Sequence, residues 1–219
     1  MVEKPRNDNQ QQPEPIGKTE MRLMNSRGRD LLLKYWDLPL FDAGLRRQGI
    51  SLAGKSVLDA GCGSGYSLPL IWDRFRPATL TAFDIVPSQV ELAKARGTSA
   101  TVLVADIASL DFPSDGFDAV FVCGVLHHIE AWRRGLAEVT RVLKSGGVLL
   151  IEEPRAVHLR FERMLTGRSA ALDTGFSLGS LRREMVRNGL GILEQRSLYF
   201  GLFGSFICVK GVGAAANYY

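Results

Sequence analysis

The chain has 219 residues, of which 46% are hydrophobic and 23% charged, and its formal net charge is +4 at pH 7. This length and apolar content allow one α/β domain with a sizeable core and exclude a chain that is disordered throughout. No apolar run reaches the ~18 residues of a membrane span, and the polar residues 1–20 lack the apolar centre of a secretory signal. We therefore expect a soluble, cytoplasmic protein that does not act in a membrane.

The three cysteines, Cys62, Cys123 and Cys208, lie far apart and form no Cys-x-x-Cys pair. An odd, scattered set of this kind indicates reduced thiols and neither a disulfide framework nor a zinc site. We expect no metal.

The first fifty residues contain two kinds of sequence. Residues 1–20 are dominated by Asn, Gln, Pro and charge, so little of this arm can be buried and we expect it to be disordered. Residues 26–48 have an apolar face typical of one or two helices, with a break at Pro39. This helical segment is expected to pack on the edge of the domain.

An apolar run at residues 56–58 leads through Asp59 into a glycine turn, and a helix is expected to open near Ser67. The turn has glycine at alternate positions, Gly61, Gly63 and Gly65. A strand, a tight turn and a helix form the first half of a βαβ unit for a nucleotide-like ligand, and glycine lets the backbone approach that ligand closely. The spacing fits neither the dinucleotide fingerprint nor the phosphate loop.

The next two predicted strands each end at an acid. The strand over 79–83 ends at Asp84, which lies 19 residues after Gly65. A carboxylate there can accept hydrogen bonds from both hydroxyls of a ribose and would repel a 2′-phosphate. After a helix over 87–96, the strand over 100–105 is followed by Asp106, whose carboxylate can accept from an N–H₂ group or cap a short helix over 107–110.

A fourth, fully apolar strand over 117–123 leads to His127 and His128, which are the neutral-pH acid or base candidates near the site. After a helix over 131–143, the fifth strand over 148–151 ends in Glu152 and Glu153, of which one can face a substrate. Ligands bind at the carboxyl ends of strands in open α/β sheets, so these side chains are candidates for chemistry.

The last third of the chain is basic, with nine basic and four acidic residues over 154–219. The arginines are concentrated in residues 155–176, where they predict either a solvated face or attraction for an anionic group. A helix over 178–188 and strands over 191–200 and 205–210 complete the chain, the last two as an antiparallel hairpin.

The motif Val57–Gly65 resembles the first motif of the class I S-adenosylmethionine (SAM)-dependent methyltransferases, and the type 11 small-molecule branch is the most similar. The resemblance covers roughly residues 50–153. Leu143–Gly147 is similar to the family's Leu-x-Pro-Gly-Gly turn, with Ser145 in place of the proline.

The resemblance implies a Rossmann-like α/β fold with a mostly parallel seven-stranded sheet, an antiparallel C-terminal hairpin and helices on both faces. It implies a domain over 21–212, divided into a helical cap (21–50), a SAM-binding core (51–153), a substrate-covering segment (154–176) and a C-terminal helix with the hairpin (177–212). Residues 213–219 would be a tail. The protein would be a monomer or homodimer.

The resemblance also assigns roles to residues. The cofactor SAM would be held by the motif and strand-end positions Asp59, Gly61, Cys62, Gly63, Gly65, Asp84, Ile85, Ala105, Asp106, Ile107, Cys123 and Gly124. Of the general-base candidates His127, His128 and Glu152, His128 is slightly favoured. Substrate contacts are expected from Tyr35, Trp36, Arg155 and His158.

The predicted function is methyl transfer from SAM to O, N or C of a small molecule, which can carry an anionic group. The alternative of an RNA methyltransferase is favoured by the basic C-terminal third, but the amino-methylating motif and the Pro-Cys nucleophile are missing after strand four. A nucleic-acid partner is therefore not expected. A third interpretation is a protein that binds SAM without transferring its methyl group.

Overall fold

The structure is a computed structural model that describes residues 31–158, 160, 164 and 175–211. The strands are β1 (Ser56–Ala60), β2 (Thr79–Asp84), β3 (Thr101–Val104), β4 (Phe117–Cys123), β5 (Leu143–Pro154), β6 (Leu190–Leu198) and β7 (Phe203–Lys210). The helices are α1 (Leu38–Arg47), α2 (Ser67–Phe75), α3 (Pro87–Lys94), α4 (Trp132–Val142) and α5 (Leu178–Arg187). A π-helical turn (Leu33–Asp37) precedes α1, and 3₁₀ turns lie at Leu126–His128 and Tyr199–Gly201.

The strands form one sheet in the order β3-β2-β1-β4-β5-β7-β6. β7 runs antiparallel to both of its neighbours, and the other pairings are parallel. The predicted fold class, a mostly parallel seven-stranded sheet that ends in an antiparallel hairpin, is confirmed.

Two apolar clusters cover the two faces of the sheet. One contains the inward side chains of α1, α2 and α3, such as Phe41, Ile71 and Val90. The other contains those of α4 and α5, such as Trp132 and Met185. Because both faces are covered, the central strands are apolar almost throughout, as is typical of parallel sheets.

The strand order reverses between β1 and β4, which are neighbours although two strands separate them in the chain. Consecutive connections leave this point in opposite directions, so a crevice opens at the carboxyl ends of the two strands. The motif residues that follow β1 and β4 therefore lie together at one edge of the sheet.

Several local expectations are corrected by the structure. Pro39 does not break the N-terminal helix, because it occupies the first turn of α1, where its missing N–H is not needed. Residues 107–110 form no helix; Asp106 instead closes a turn by accepting the N–H of Ala108 at 2.8 Å. The stretch 143–147 belongs to β5, although the pairing of β4 with β5 shifts register between Phe117 and Ala119.

Several sequence predictions lie outside the described residues. These are the arm over 1–20, the start of the N-terminal helix, most of the basic segment, including Arg163 and Arg168, and the tail over 213–219. The division of the chain into segments stays a prediction. Within the described ranges, no helix combines the length and apolarity needed to cross a membrane.

Candidate functional site

Carboxylates collect at the carboxyl edge of the sheet. Asp84 ends β2, Asp59 is the last residue but one of β1, and Glu152 and Glu153 lie near the end of β5; all four are buried. Asp106 follows β3 and is exposed. An acidic crevice of this kind suits a ligand that carries positive charge, such as a sulfonium or an ammonium, better than it suits a phosphate.

The glycine turn uses its own N–H groups. Those of Gly61 and Cys62 both donate to the carbonyl of Phe83 at 2.9 Å. The N–H of Gly63 donates to the Asp84 carboxylate at 2.9 Å, and that of Gly65 donates to the carbonyl of Cys62. In a phosphate-binding loop such groups would point at the ligand. This turn is therefore not a phosphate cradle.

The three glycines of the turn have different steric surroundings. A Cβ at Gly61 would lie 2.6 Å from Val125 Cγ2, and a Cβ at Gly65 would lie 2.6 Å from the Cβ of Ala93. At Gly63 the space is open, and the nearest atom is Gln89 Oε1 at 4.0 Å. Gly61 and Gly65 thus serve packing, whereas Gly63 leaves room for a ligand.

Asp84 is held by two backbone amides. Its Oδ2 accepts the N–H of Gly63 and its Oδ1 accepts that of Val86, both at 2.9 Å. Burial raises the pKa of this carboxyl, and the backbone hydrogen bonds oppose that rise. Each oxygen still has a lone pair for a further donor, so the predicted contact with a ribose remains chemically possible.

Asp59 lies beneath the turn rather than at its surface. It is 3% exposed and accepts the hydroxyl of Ser67 at the start of α2. Burial raises the pKa of Asp59 to about 6, against the opposing hydrogen bond from Ser67. Asp59 therefore acts on a ligand through its charge. Its hydrogen bond with Ser67 joins β1 to α2.

Four of the residues that are predicted to hold the cofactor differ in their exposure to solvent. Ile85 is 43% exposed beside Asp84, and Ala105 is half-buried next to the exposed Asp106. Ile107 is 4% exposed and packs in the core. Ile85, Ala105 and Asp106 can thus present side chains to a ligand, whereas Ile107 offers little beyond its backbone.

Cys62, Cys123 and Gly124 border the crevice. Cys62 is buried, with Sγ 3.6 Å from the carbonyl oxygen of Gly63, and burial raises the pKa of its thiol. Cys123 ends β4 and is half-buried. Gly124 has a φ of 69° and donates its N–H to the carbonyl of Glu152 at 2.7 Å. This bond ties the loop after β4 to the end of β5.

The two histidines lie in the 3₁₀ turn that follows this loop. Their rings are in tilted contact, with centroids 3.7 Å apart and planes at 43°. His127 is buried and its Nδ1 lies 2.7 Å from Glu153 Oε2, whereas His128 is half-buried. His128 is therefore the more accessible of the two base candidates.

Glu152 and Glu153 point to opposite faces of the sheet, because side chains alternate along a strand. Glu152 shares its face with Leu150, in the cluster that α1 covers, and Glu153 shares the other face with Ile151. Burial raises the pKa of Glu153 to about 7, against hydrogen bonds from the backbone of Leu126 and Val125. A role for Glu152 as a base stays a prediction.

The four predicted substrate residues lie at the same edge, on the β5–β7–β6 half. Tyr35 is 62% and Trp36 55% exposed on the π-helical turn. This turn is held at the edge by the next residue, Asp37, which accepts the hydroxyl of Tyr199 at the end of β6.

Arg155 and His158 follow β5. The N–H of Arg155 donates to the carbonyl of Leu202 at 2.7 Å, and its Nε is buried without a hydrogen-bond partner among the described residues. The ring of His158 lies 4.9 Å from that of Phe203, and burial lowers its pKa.

Sequence reasoning named Glu153 only together with Glu152, and it did not name Gln89. Glu153 cannot be told from its neighbour Glu152 by pattern, and Gln89 resembles any other polar residue of a helix. Gln89 is 5% exposed next to Gly63, and its Oε1 has no hydrogen-bond partner within the described structure. No sequence signal separates this glutamine from other helical glutamines.

A cavity of about 290 Å³ lies at the opposite edge of the sheet, where Lys55, Asp118 and Lys144 contribute to its lining. Asp118 accepts from Lys144 Nζ at 2.9 Å, so the acid of this cavity already pairs with one of its two lysines. Among the described residues, no three His, Cys, Asp or Glu side chains are grouped so as to hold a metal ion.

The fold matches solved methyltransferase structures. A SAM-dependent methyltransferase from Aquifex aeolicus superposes with a TM-score of 0.68 at 16% identity, over 89% of this chain and 99% of that one. At this identity the likeness shows the fold alone.

Sequence comparison gives the family. Residues 58–151 match the family described as "Methyltransferase domain". The resemblance to the class I SAM-dependent methyltransferases is therefore confirmed, and residues 58–151 are similar to the methyltransferase domains of this family.

Two curated relatives match over the same core. A malonyl-[acyl-carrier protein] O-methyltransferase of Serratia marcescens is 35% identical over 111 residues, which are 50% of this chain and 43% of that protein. A fatty-acid O-methyltransferase of Mycolicibacterium smegmatis is 35% identical over 104 residues, which are 47% of this chain and 38% of that protein. The match thus spans less than half the length of these relatives.

Proposed function

We propose that the protein transfers a methyl group from SAM to an oxygen of a small-molecule acceptor. The observation that carries this proposal is the glycine turn. The N–H groups of its three glycines and of Cys62 donate within the protein, it is bordered by buried acids, and the space beside Gly63 is open. These four amides are not directed at a phosphate, and the open space accommodates a nucleoside with a positively charged tail.

The residues present fit SAM, which supplies a methyl group already bonded to a good leaving group, the sulfonium. Asp84 would accept from the ribose hydroxyls, and Asp106 from the exocyclic amine of adenine, because carboxylates accept only from donors. Ile85, exposed between them in the chain, would cover the adenine face. Asp59 adds negative charge beneath the positively charged part of the cofactor.

The acceptor is proposed to be a carboxylated or phenolic compound with an apolar body. The names of the two curated relatives describe O-methylation of a malonyl thioester and of a fatty acid. The exposed rings of Tyr35 and Trp36 offer apolar contact, and the buried Nε of Arg155 offers a donor to an anionic oxygen. Basic charge near this edge would also attract an anionic acceptor.

The work left to the protein is orientation, exclusion of water and removal of a proton where the acceptor oxygen carries one. His128 is assigned the proton transfer, because it is half-buried at the strand ends and is more accessible than the buried His127. A carboxylate acceptor needs no base, so the dependence of turnover on His128 reports the acceptor type.

The test begins with calorimetric titration of SAM, S-adenosylhomocysteine (SAH) and NADH. Binding of the first two and not of NADH supports the proposal, and binding of NADH alone overturns it. Methyl transfer from radiolabelled SAM is then measured with carboxylic acids, phenols and a transfer-RNA mixture. Transfer to RNA alone would favour the RNA methyltransferase, and SAM binding without transfer to any of these would contradict the proposed transfer.

A further inference from the structure

Glu153 is fully buried near the carboxyl end of β5, directly under the turn that carries both histidines. It belongs to the central part of the sheet, where its Cα partner on β7 is Gly204. A buried carboxylate is costly unless its oxygens accept hydrogen bonds, so the groups that face it define what it does.

Groups from three consecutive residues meet this one carboxylate. Oε1 accepts the N–H of Val125 at 3.0 Å and the N–H of Leu126 at 2.7 Å. Oε2 lies 2.7 Å from Nδ1 of His127. Glu153 therefore caps the first amides of the 3₁₀ turn and fixes one imidazole of the histidine pair.

This turn connects Glu153 to two other parts of the site. The ring of His128 contacts that of His127 at a tilt of 43°, so fixing one ring limits the other. The side chain of Val125 packs on Gly61, where a Cβ would be only 2.6 Å from Val125 Cγ2. One carboxylate thus connects the end of β5 to the histidines and to the glycine turn.

We propose that Glu153 is a positioning residue of the methyl-transfer site, which holds the turn Val125–His128 in place and keeps His127 protonated on Nδ1. The inference rests on the proposed function, since it concerns the same site. A neutral imidazole has one N–H, so a proton on Nδ1 toward the carboxylate leaves the lone pair on Nε2. Carboxylates that face a histidine in this way set its tautomer and orientation.

The substitution Glu153→Gln tests this assignment because it exchanges donor and acceptor in the contact with His127. It can keep the two contacts with backbone N–H groups. The amide oxygen of glutamine can still accept the N–H groups of Val125 and Leu126. Its N–H₂ group then faces His127 and requires Nδ1 to become the acceptor. The proton of the imidazole must move to Nε2, which a purely structural role would not predict.

The measurement is imidazole ¹⁵N NMR on histidine-labelled protein with SAH bound. The chain has three histidines, so His128→Asn and His158→Asn variants assign the spectrum. In the unsubstituted protein, Nδ1 of His127 is expected to keep its proton from about pH 8 to about pH 9, where the Glu153 carboxyl is ionised. In E153Q the proton is expected on Nε2. A proton on Nε2 but not Nδ1 of the unsubstituted protein, or an unchanged pattern in E153Q, would overturn the proposal.

The matched control is Glu138→Gln. Like Glu153, Glu138 accepts a backbone N–H, here from Leu110, and it contacts a nitrogen-bearing side chain, here Arg141. Glu138 lies on α4. The His127 pattern should not change in E138Q, and a change there as large as in E153Q would contradict a specific role. If E153Q does not fold, the spectrum of the unsubstituted protein still decides the tautomer.

Affinity for SAH separates this inference from the proposed function. E153Q is expected to bind SAH within about twofold of the unsubstituted protein, because Asp84 and Gly63 are unaltered. If the unsubstituted protein binds no SAH, the proposed function fails, whereas the tautomer of His127 can be read without ligand. If SAH binds and the proton of His127 lies on Nε2 instead of Nδ1, only the role of Glu153 fails.

Discussion

Gly61 and Val125 touch across the point where the strand order reverses, so closely that a Cβ on Gly61 would lie 2.6 Å from Val125 Cγ2. Gly61 follows β1 and Val125 follows β4, and the contact closes the floor of the crevice between them. Gly63, two residues on, has no such neighbour among the described residues and opens to the ligand side. Neighbouring glycines of one motif thus serve stability and binding separately.

The substitutions Gly61→Ala and Gly63→Ala are expected to have different effects. Both residues have positive φ, 80° and 52°, so alanine costs about 1–2 kcal/mol at either place. G61A must also displace Val125, and we expect it to lose a further ~1–3 kcal/mol of unfolding free energy. G63A should fold but bind SAH at least about tenfold more weakly, because its methyl group occupies the ligand's space. Urea unfolding and calorimetry measure the two effects.

The comparison of these two variants has a control in Gly97. This glycine also has positive φ, 66°, and a Cβ added there would meet no atom of the described residues within 4 Å. G97A should therefore show the backbone cost alone, with normal SAH affinity. If G63A binds SAH as well as G97A does, Gly63 does not border the ligand.

Asp84→Asn tests the ribose contact more cleanly than alanine would. Because Asp84 also accepts the N–H groups of Gly63 and Val86, its complete removal would disturb the turn itself. Asparagine keeps one acceptor but loses the charge, and hydrogen bonds to charged groups contribute about 1.5–3 kcal/mol. We expect SAH affinity to fall about 10- to 100-fold in titration calorimetry. Asp73→Asn, on the exposed side of α2, should leave affinity unchanged, and an equal loss there would remove the assignment.

The strand-end acids were predictable because a parallel βαβ unit brings the ends of β1, β2 and β3 together, whatever the side chains do. The choice between Glu152 and Glu153 was not predictable. A shift of one residue along a strand exchanges its two faces, and β5 enters the sheet through a register shift opposite Phe117 and Ala119. The pairing of Glu153 with His127 joins residues 26 apart and exists only after this register is set.

The predicted break in the N-terminal helix was wrong because the rule that proline breaks a helix does not apply at this position. Proline breaks a helix when it removes an N–H that the preceding turn needs. At Pro39 the helical hydrogen bonding changes from π to α, so the proline lies in a first turn and no break follows. The sequence does not show this change because it depends on packing of Leu38 and Phe41 against the sheet.

The stability of the unliganded protein is expected to fall as the pH rises from about 4 to about 7. Burial raises the pKa of Asp59 to about 6 and that of Glu153 to about 7. In this window the folded state retains protons that the unfolded state has released, so rising pH favours unfolding. In Asp59→Asn this fall should be smaller by about 3 kcal/mol, as followed by urea unfolding at several pH values. A fall of equal size in D59N would show that Asp59 does not titrate in this range.

His128→Asn tests the proton transfer. If the acceptor is a phenol or another hydroxyl group, turnover should fall about 100-fold or more, because general-base catalysis contributes that much. The affinity for SAH should stay within about twofold. An unchanged turnover with a hydroxyl acceptor would remove His128 from the role of base, and an unchanged turnover with a carboxylate acceptor is what the proposal requires.

Trp36→Ala tests the acceptor side of the crevice. Trp36 is 55% exposed, so its loss should change the unfolding free energy by less than about 0.5 kcal/mol. If its ring contacts the apolar body of the acceptor, KM should rise about tenfold while SAH affinity is unchanged, because burial of an aromatic side chain contributes about 1.5–3 kcal/mol at most. Leu92→Ala is the matched control, since Leu92 is 53% exposed on α3. Equal changes of KM in W36A and L92A would show that the ring of Trp36 makes no specific contact with the acceptor.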